Sequence, residues 1–210
     1  MTPGRFISFE GGEGTGKSTQ VKKLAAALQA RGISCVTTRE PGGSEGAEAI
    51  RELLVKGKPG RWNGLAEALL VFAARTDHVA VTIKPALAEG RFVITDRFTD
   101  STYAYQGAGR GLDRETIRRI ESVALGDFKP ELTFVLDLPV EEGLARAHAR
   151  AGDETRFEDF DRDFHERIRR AFLDIAKRSP DRCIVIDAAR DEAAVAADIL
   201  SAVTARFALG

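Results

Sequence analysis

Cysteine and histidine are scarce in this chain of 210 residues, which has two of the first and three of the second. The cysteines, Cys35 and Cys183, are too few and too far apart to form a disulfide framework or a zinc site. Each lies in a short apolar run. We therefore expect both to be small core residues in a reducing compartment.

An excess of one charge is also missing. The 31 lysines and arginines nearly cancel the 32 aspartates and glutamates, so the net charge is −1. Without a broad basic field, we expect no nucleic-acid partner. No apolar run of about 18 residues occurs, and the opening MTPGRFISF has no apolar h-region. We therefore expect no membrane span and no secretory signal, and a cytoplasmic protein.

Short apolar runs alternate with longer amphipathic ones along the chain. The short runs predict strands at residues 5–9, 34–38, 91–95, 132–138 and 182–186. The amphipathic patterns predict helices at residues 17–31, 44–56, 65–83, 114–125, 140–149, 160–175 and 192–207. This alternation indicates an α/β fold, with a five-stranded parallel sheet flanked by helices.

The helical pattern at 65–83 carries apolar residues at alternating steps of four and three. This spacing predicts one stripe along a long helix, formed by Leu65, Leu69, Phe72, Thr76, Val79 and Ile83. We expect Pro85 to kink or end that helix and Gly126 to end the helix that precedes it. The polar stretch 149–155 predicts a mobile loop.

One segment matches the phosphate-loop pattern G-x-x-x-x-G-K-[ST]: Gly11, Gly12, Glu13, Gly14, Thr15, Gly16, Lys17 and Ser18. Backbone N–H groups must turn inward to bind phosphate oxygens, and glycine allows the dihedral angles that this needs. The segment follows a predicted strand and opens a predicted helix, whose positive dipole end faces the phosphates. We expect ATP here, with Lys17 at its β- and γ-phosphates and Ser18 as a ligand of Mg²⁺.

A second predicted strand ends in Asp96 and Arg97. In phosphate-loop proteins an acidic residue at the tip of a neighbouring strand helps to hold Mg²⁺. Ligands of parallel sheets bind at the carboxyl ends of the strands, so we expect Asp96 at the metal and Arg97 near the ligand. The alternative is a solvated pair that only caps its strand.

Further motifs follow in a fixed order: F-E-G at 9–11, T-R-E-P-G-G at 38–43, F-A-A-R at 72–75, D-R-F at 96–98, S-T-Y-A-Y-Q-G at 101–107, G-R-G at 109–111 and G-D-F-K-P at 126–130. With the phosphate loop, they resemble the bacterial thymidylate (dTMP) kinases over nearly the whole chain. The resemblance implies a phosphate-loop kinase fold in one domain, residues 1–210, with a short lid at about 146–158. It also implies a homodimer that packs the helix spanning 65–83.

Phe72 and Arg75 are three residues apart on one predicted helix and share a face. A ring beside a guanidinium suits a planar base with carbonyl acceptors. Periodicity alone favours Phe72 as a member of the apolar stripe. The resemblance implies instead that Phe72 stacks on thymine and that Arg75 donates hydrogen bonds to its carbonyl edge.

Other residues are assigned to dTMP by the same resemblance. Arg39 and Arg97 would lie near its phosphate. Thr102, Tyr105 and Gln106 would contact the base and sugar, with Tyr105 packed where a 2′-hydroxyl would stand.

The acidic residue of the phosphate loop, Glu13, would face the sugar 3′-hydroxyl, although by itself it could equally be a solvated loop acid. Some thymidylate kinases carry a catalytic arginine directly after this acid, where this chain has Gly14. The resemblance therefore implies the subtype whose lid supplies the arginine. Arg150 and Arg156 flank the predicted loop and are both candidates. Other arginines nearby are expected on a solvated helix face: Arg162, Arg167, Arg169 and Arg170.

The expected reaction is phosphoryl transfer from ATP to dTMP, giving ADP and dTDP, in the dTTP synthesis pathway. Catalysis would rest mainly on positioning and charge neutralisation. One alternative is a kinase for another nucleoside monophosphate. A less favoured one is an ATP-dependent switch or binding module, because the residues at 72–75 and 101–106 would then have no evident use.

Overall fold

Five parallel strands form the centre of the molecule. The computed structural model describes residues 4–58, 60–149, 156–158 and 160–209. The strands are β1 (Phe6–Glu10), β2 (Cys35–Arg39), β3 (Phe92–Asp96), β4 (Leu132–Asp137) and β5 (Cys183–Asp187), and they lie in the order β2-β3-β1-β4-β5. Every neighbouring pair is parallel, which confirms the predicted sheet.

Helices cover both faces of this sheet. They are α1 (Lys17–Gln29), α2 (Glu45–Val55), α3 (Gly64–His78), α4 (Lys84–Ala88), α5 (Thr99–Thr102), α6 (Arg114–Leu125), α7 (Val140–His148), α8 (Arg162–Arg178) and α9 (Glu192–Phe207), with π-helical turns at Val79–Ile83 and Tyr103–Gly109. Alternate residues of a strand face opposite sides. Ile7 and Phe9 of β1 therefore pack with α1 and α9, whereas Phe6 packs with the first π-helical turn.

Most strands begin and end one residue later than the sequence predicts. The reason lies at their carboxyl ends, where polar residues continue the ladder: Asp96 pairs with both Phe9 and Arg39, and Asp137 pairs with Asp187. A prediction based on apolar runs ends before these residues. The later strand ends place polar residues of the site, such as Asp96, on the sheet itself.

The predicted long helix continues past Pro85, so of the two effects expected of Pro85, a kink or an end, the end is wrong. Pro85 lies in the first turn of α4, directly after the π-helical turn. Proline is tolerated there because its missing N–H falls where the hydrogen-bond ladder has already changed. Gly126, with φ 62°, ends α6 as predicted. Of the loop predicted at 149–155, only Ala149 belongs to the described residues.

The apolar stripe of α3 divides between two environments. Phe72, Val79 and Ile83 are buried, whereas Leu65 and Leu69 are 45% and 50% exposed. A π-helical turn changes the rotation per residue, so the residues on either side of it do not keep one face. The sequence pattern, which assumes a uniform α-helix, therefore merges two faces.

The two cysteines lie far apart in the fold. Cys35 on β2 and Cys183 on β5 are free thiols at opposite edges of the sheet, one half-buried and one buried. Burial raises the pKa of each thiol to about 11, so both are small packing residues as predicted. Among the described helices, none has the length and apolar character needed to cross a membrane.

Candidate active site

A cleft of about 420 Å³ opens at the carboxyl edge of the sheet. Its walls come from the phosphate loop, the ends of β2 and β3, helices α2 and α3, and residues 101–106, with 157–158 at one side. This is the edge at which ligands of parallel α/β sheets bind. Most of the predicted site residues line it: Glu13, Gly14, Thr15, Gly16, Lys17, Ser18, Arg39, Arg75, Asp96, Arg97, Thr102, Tyr105 and Gln106.

The phosphate loop joins β1 to α1 through glycines in left-handed conformations. The φ angles are 137° at Gly11, 67° at Gly14 and 88° at Gly16. Lys17 Nζ donates to the carbonyl oxygens of Gly12 at 2.7 Å and Gly11 at 3.2 Å. Burial, and then the charge of Arg97, lowers the pKa of Lys17 to about 8. The lysine is thus held at the loop, where an anionic ligand would favour its charged form.

Gly14 could not be replaced by a larger residue in this backbone. A Cβ atom there would stand 1.9 Å from the carbonyl oxygen of Gly143, in α7. The absence of an arginine at this position therefore has a steric cause. The loop and α7 are packed backbone against backbone.

Ser18 and Asp96 are brought together as predicted. Ser18 Oγ donates to Asp96 Oδ2 at 2.5 Å, joining the first turn of α1 to the end of β3. Hydroxyl and carboxylate oxygens suit Mg²⁺, which takes few protein ligands and completes its shell with water and phosphate oxygens. The donor set therefore fits the expected ion, and the interpretation of Asp96 as a mere strand cap is not needed.

Glu13, Arg97 and Tyr105 form one compact cluster. Glu13 Oε1 accepts from Arg97 Nη2 at 3.0 Å and from the Tyr105 hydroxyl at 2.7 Å. Burial alone would raise the pKa of Glu13, but the charges of Arg97 and Lys17 outweigh it and lower the pKa to about 2. Glu13 is therefore a partly buried, ionised acid, with 17% of its side chain exposed, and not a fully solvated loop residue.

Arg97 occupies this cluster in an unusual backbone conformation. Its φ is 72°, a left-handed value that is uncommon for a residue other than glycine. Its guanidinium lies over the Tyr105 ring at 4.8 Å and donates to the Gly11 carbonyl oxygen at 2.9 Å. Strained backbone of this kind is found at functional sites, where the surrounding contacts hold it in place.

Arg75 is fixed on three sides. Its guanidinium donates to Glu40 Oε2 at 2.5 Å, to Thr102 Oγ1 at 3.0 Å and to the Phe98 carbonyl oxygen at 3.0 Å. Phe72 lies 4.9 Å beneath that guanidinium, is 1% exposed and does not line the cleft. The structure thus presents the arginine of the predicted pair to the cleft and keeps the ring behind it.

Of the two candidate lid arginines, Arg156 belongs to the described residues and Arg150 does not. Arg156 is 1% exposed and does not line the cleft; it pairs with Glu67 and donates to the carbonyl oxygens of Leu54 at 2.8 Å and Lys58 at 3.4 Å. Its side chain is committed to α2, α3 and the segment after α2.

Several residues around the site were not singled out from the sequence. Glu40 holds Arg75, and Glu67 on α3 binds both Arg156 and Gln106. The signal for Glu67 was available: an acid among Ala68, Val71 and Arg75 on the inward face of α3 needs a buried partner.

One residue expected on a solvated helix face is 32% exposed and also contacts the sheet edge. Arg169 of α8 makes a bidentate ion pair with Asp137 at the end of β4, with distances of 2.7 and 3.0 Å. The helix period places Arg169 on the outer side. The side chain is long enough to reach back to the sheet edge, which periodicity does not register.

Comparison with known proteins gives one family. A family model described as thymidylate kinase matches residues 9–199. Thymidylate kinase of Caulobacter vibrioides is 54% identical over 209 residues, covering all of both chains. That of Dinoroseobacter shibae is 54% identical over 202 residues, covering 96% of this chain and 97% of the relative.

Among solved structures, thymidylate kinase from Ehrlichia chaffeensis matches with a TM-score of 0.76 and 34% identity, covering 96% of this chain and 99% of that chain. The likeness therefore extends over both sequence and fold. This chain belongs to the thymidylate kinase family.

Proposed function

We propose that this chain transfers the γ-phosphoryl group of ATP to dTMP, giving dTDP and ADP. The observation that carries the proposal is the placement of Arg75 in the cleft that also contains the phosphate loop. The guanidinium is held by Glu40, Thr102 and the Phe98 carbonyl group, so it is pre-oriented to donate to a carbonyl-bearing base. A switch or a plain ATPase has no use for such a second subsite.

The residues around the phosphate loop are assigned to the phosphates of ATP and dTMP and to Mg²⁺. Lys17 and the loop N–H groups hold the β- and γ-phosphates, and Arg39 and Arg97 hold the phosphate of dTMP. An anionic oxygen of dTMP attacks the γ-phosphorus as the bond to the bridging oxygen breaks, so no general base is required. Ser18 and Asp96 would hold Mg²⁺, which supplies neutralisation of the phosphate charges when bound.

The remaining roles concern the sugar, the base and the lid. Glu13 faces the 3′-hydroxyl, Tyr105 packs at the sugar, and Thr102 and Gln106 contact the base. We assign the arginine at the transferring phosphoryl group to Arg150, because the side chain of Arg156 is already bound to Glu67 and to two carbonyl groups. We propose one domain, residues 1–210, with a lid at about 146–158 that limits hydrolysis of ATP when closed.

The substrate is tested by measuring phosphoryl transfer from ATP to dTMP, dUMP, dCMP and AMP in parallel. The expected result is the highest kcat/KM for dTMP, abolished by chelation of divalent cations. Equal rates with the four acceptors would contradict the substrate assignment. Thermal stabilisation by ATP but not by dTMP would favour a switch or binding module instead.

We further propose a cytoplasmic homodimer. The outward face of α3 and the following π-helical turn exposes a stripe of small and apolar residues: Leu65, Leu69, Ala73, Thr76 and Ala80. Two leucines about half exposed on one helix face are costly in water and suit a helix-to-helix contact between subunits. The contact would pack the helix that the family resemblance assigns to the dimer.

A further inference from the structure

Glu67 is a carboxylate with no exposure to solvent, and both of its oxygens are engaged. Oε1 accepts from Gln106 Nε2 at 2.8 Å, and Oε2 accepts from Arg156 Nη2. A fully buried carboxylate is stable only when paired in this way. A carboxylate in such a pair can only accept hydrogen bonds.

This pairing fixes which way the Gln106 amide faces. An amide has a donor end and an acceptor end, and only the donor end can meet an acceptor-only carboxylate. Gln106 also lines the cleft, and among the described residues no hydrogen bond is donated to its side-chain Oε1. We infer that the amide offers this oxygen to the cleft, because its NH₂ end is held by Glu67.

Arg75, Thr102 and Gln106 all line the cleft, and Arg75 donates to Thr102 at 3.0 Å. Arg75 supplies donors, whereas a fixed Gln106 supplies an acceptor. Thymine and uracil present a ring N–H beside carbonyl oxygens. Cytosine presents a bare ring nitrogen and an amino group, so it would set two acceptors together at Gln106, an arrangement that is penalised when water is excluded.

Glu67 also reaches the C-terminal end of the proposed lid. Arg156 continues to the carbonyl oxygens of Leu54 and Lys58, and the Phe157 ring lies edge-on to Tyr105 at 5.6 Å. One carboxylate thus links the base side of the cleft to residues 156–158. Loss of its charge would release both neighbours.

We propose that Glu67 is a positioning residue for base selection. It locks the Gln106 amide with its carbonyl oxygen toward the cleft, so that a base with a ring N–H is accepted and cytosine is rejected. This inference rests on the proposed function, because it assigns a source for the base preference of the same site.

The test is Glu67→Gln, compared with wild type for kcat/KM with dTMP and dCMP. A glutamine at this position can donate as well as accept, so the Gln106 amide is free to turn. We expect the dTMP-to-dCMP ratio of kcat/KM to fall on the order of tenfold. Glu67→Asp keeps an acceptor-only carboxylate, so we expect its ratio to stay near wild type even if KM for dTMP rises.

Glu131→Gln is the matched control, because it neutralises a carboxylate that pairs with Arg5 at 2.7 Å far from the cleft. Its ratio should equal that of wild type. A wild-type enzyme without preference for dTMP would overturn the proposed function. A wild-type preference that Glu67→Gln leaves unchanged would overturn the role of Glu67 alone.

Gln106→Met separates positioning from a merely structural effect. If Glu67 acts through Gln106, the double variant Glu67→Gln/Gln106→Met has the same ratio as Gln106→Met alone, because no amide is left to orient. A further fall in the double variant would contradict the proposal. If Glu67→Gln does not fold, Gln106→Met provides the test. Its dTMP-to-dCMP ratio of kcat/KM should fall if the Gln106 amide selects the base. A wild-type ratio for Gln106→Met would overturn the inference.

Discussion

Glu10, at the end of β1, is the residue whose burial has the clearest consequence for pH. It is fully buried beneath the phosphate loop, where it accepts from the Phe98 N–H at 2.8 Å and from Ser101 Oγ at 2.6 Å. Burial, and then the nearby charge of Asp100, raises the pKa of Glu10 to about 8. The folded protein thus holds a proton on this acid that the unfolded chain releases near its ordinary pKa.

This shift predicts a stability that falls as pH rises. A raised pKa in the folded state contributes stability that is complete below pH 4.5 and is lost as pH increases through about 8. We expect thermal melts to show a loss on the order of 2 kcal/mol across this window, or about 4–8 °C. Glu10→Gln removes the titration and should flatten the profile.

Glu13 and Lys17 titrate outside this window. Burial lowers the pKa of His165 below its usual 6.5, so His165 contributes inside the window with the opposite sign, as stability that is lost when pH falls. The lowered pKa of Glu13 acts between about 2 and 4.5, where its contribution is lost as pH falls. The lowered pKa of Lys17 acts between about 8 and 10.5, where stability gains as pH rises. Parallel melting profiles for wild type and Glu10→Gln would therefore show that Glu10 is not the cause.

The phosphate loop offers a matched pair of glycines for a steric prediction. Gly14→Ala places a Cβ atom at φ 67°, 1.9 Å from the Gly143 carbonyl oxygen, whereas a Cβ at Gly12 meets nothing within 4 Å. We expect Gly14→Ala to lower the free energy of unfolding by on the order of 2 kcal/mol or more, and Gly12→Ala by less than about 0.5. Chemical denaturation measures both, and equal losses would rule out the contact with α7.

Single residues differ in how well the sequence predicts them. Ser18 and Asp96 follow from a motif and a strand end, because their roles depend on local backbone and sheet edge. Arg156 could not be placed from the sequence, since its partner Glu67 is 89 residues away and belongs to another element. The family resemblance assigns Phe72 to stacking on the base, whereas the fold places its ring behind Arg75 and outside the cleft lining.

At the scale of elements, type was predicted better than position. Alternating apolar and amphipathic runs predict every strand and the longer helices, because each element buries a face of defined period. The π-helical turn at Val79–Ile83 breaks that period within one continuous helical stretch, so the stripe and the effect of Pro85 were misjudged. The short α5 and the turn at Tyr103–Gly109 were predicted only as motif, not as helix.

The lid carries a prediction that separates its two arginines. Arg156→Met leaves Glu67 buried without its cationic partner and should cost on the order of 3 kcal/mol of stability. Arg150→Ala is expected to lower kcat by on the order of a hundredfold or more, by removing charge stabilisation of the transferring phosphoryl group. Rates normalised to the folded fraction, with melts of both variants, make the comparison.

A different result would identify Arg156 as the catalytic arginine. If Arg156→Met melts like wild type but loses the larger part of kcat, then Arg156 leaves Glu67 during turnover and is the catalytic arginine. Arg146→Ala is the control for both, because the contacts of Arg146 within the described part of the chain are an exposed pair with Glu142 and a long contact to the Ala188 carbonyl group. It should change neither stability nor kcat by more than a small factor.

At the scale of the whole molecule, the site depends on strand order. Strands β1 and β3 are neighbours although β2 and four α-helices lie between them in the chain, and this brings the loop after β1 beside Asp96 and Arg97. Helix and strand periods carry no information on which strands adjoin. The motif resemblance supplied that part of the prediction, and the parallel register explains why it works: the polar ends of β1, β2 and β3 meet at one edge.

The outward face of α3 predicts the assembly. Leu69 is 50% exposed, so Leu69→Lys puts a charge in the centre of the leucine-containing stripe. We expect this variant to sediment as a monomer where the wild type sediments as a dimer. Its far-UV circular dichroism should not change. Val123→Lys, on α6 and 91% exposed, adds the same charge to an isolated apolar residue and should leave the dimer intact. Wild-type protein that sediments as a monomer would remove the assembly proposal. A Leu69→Lys dimer would instead place the interface on another surface.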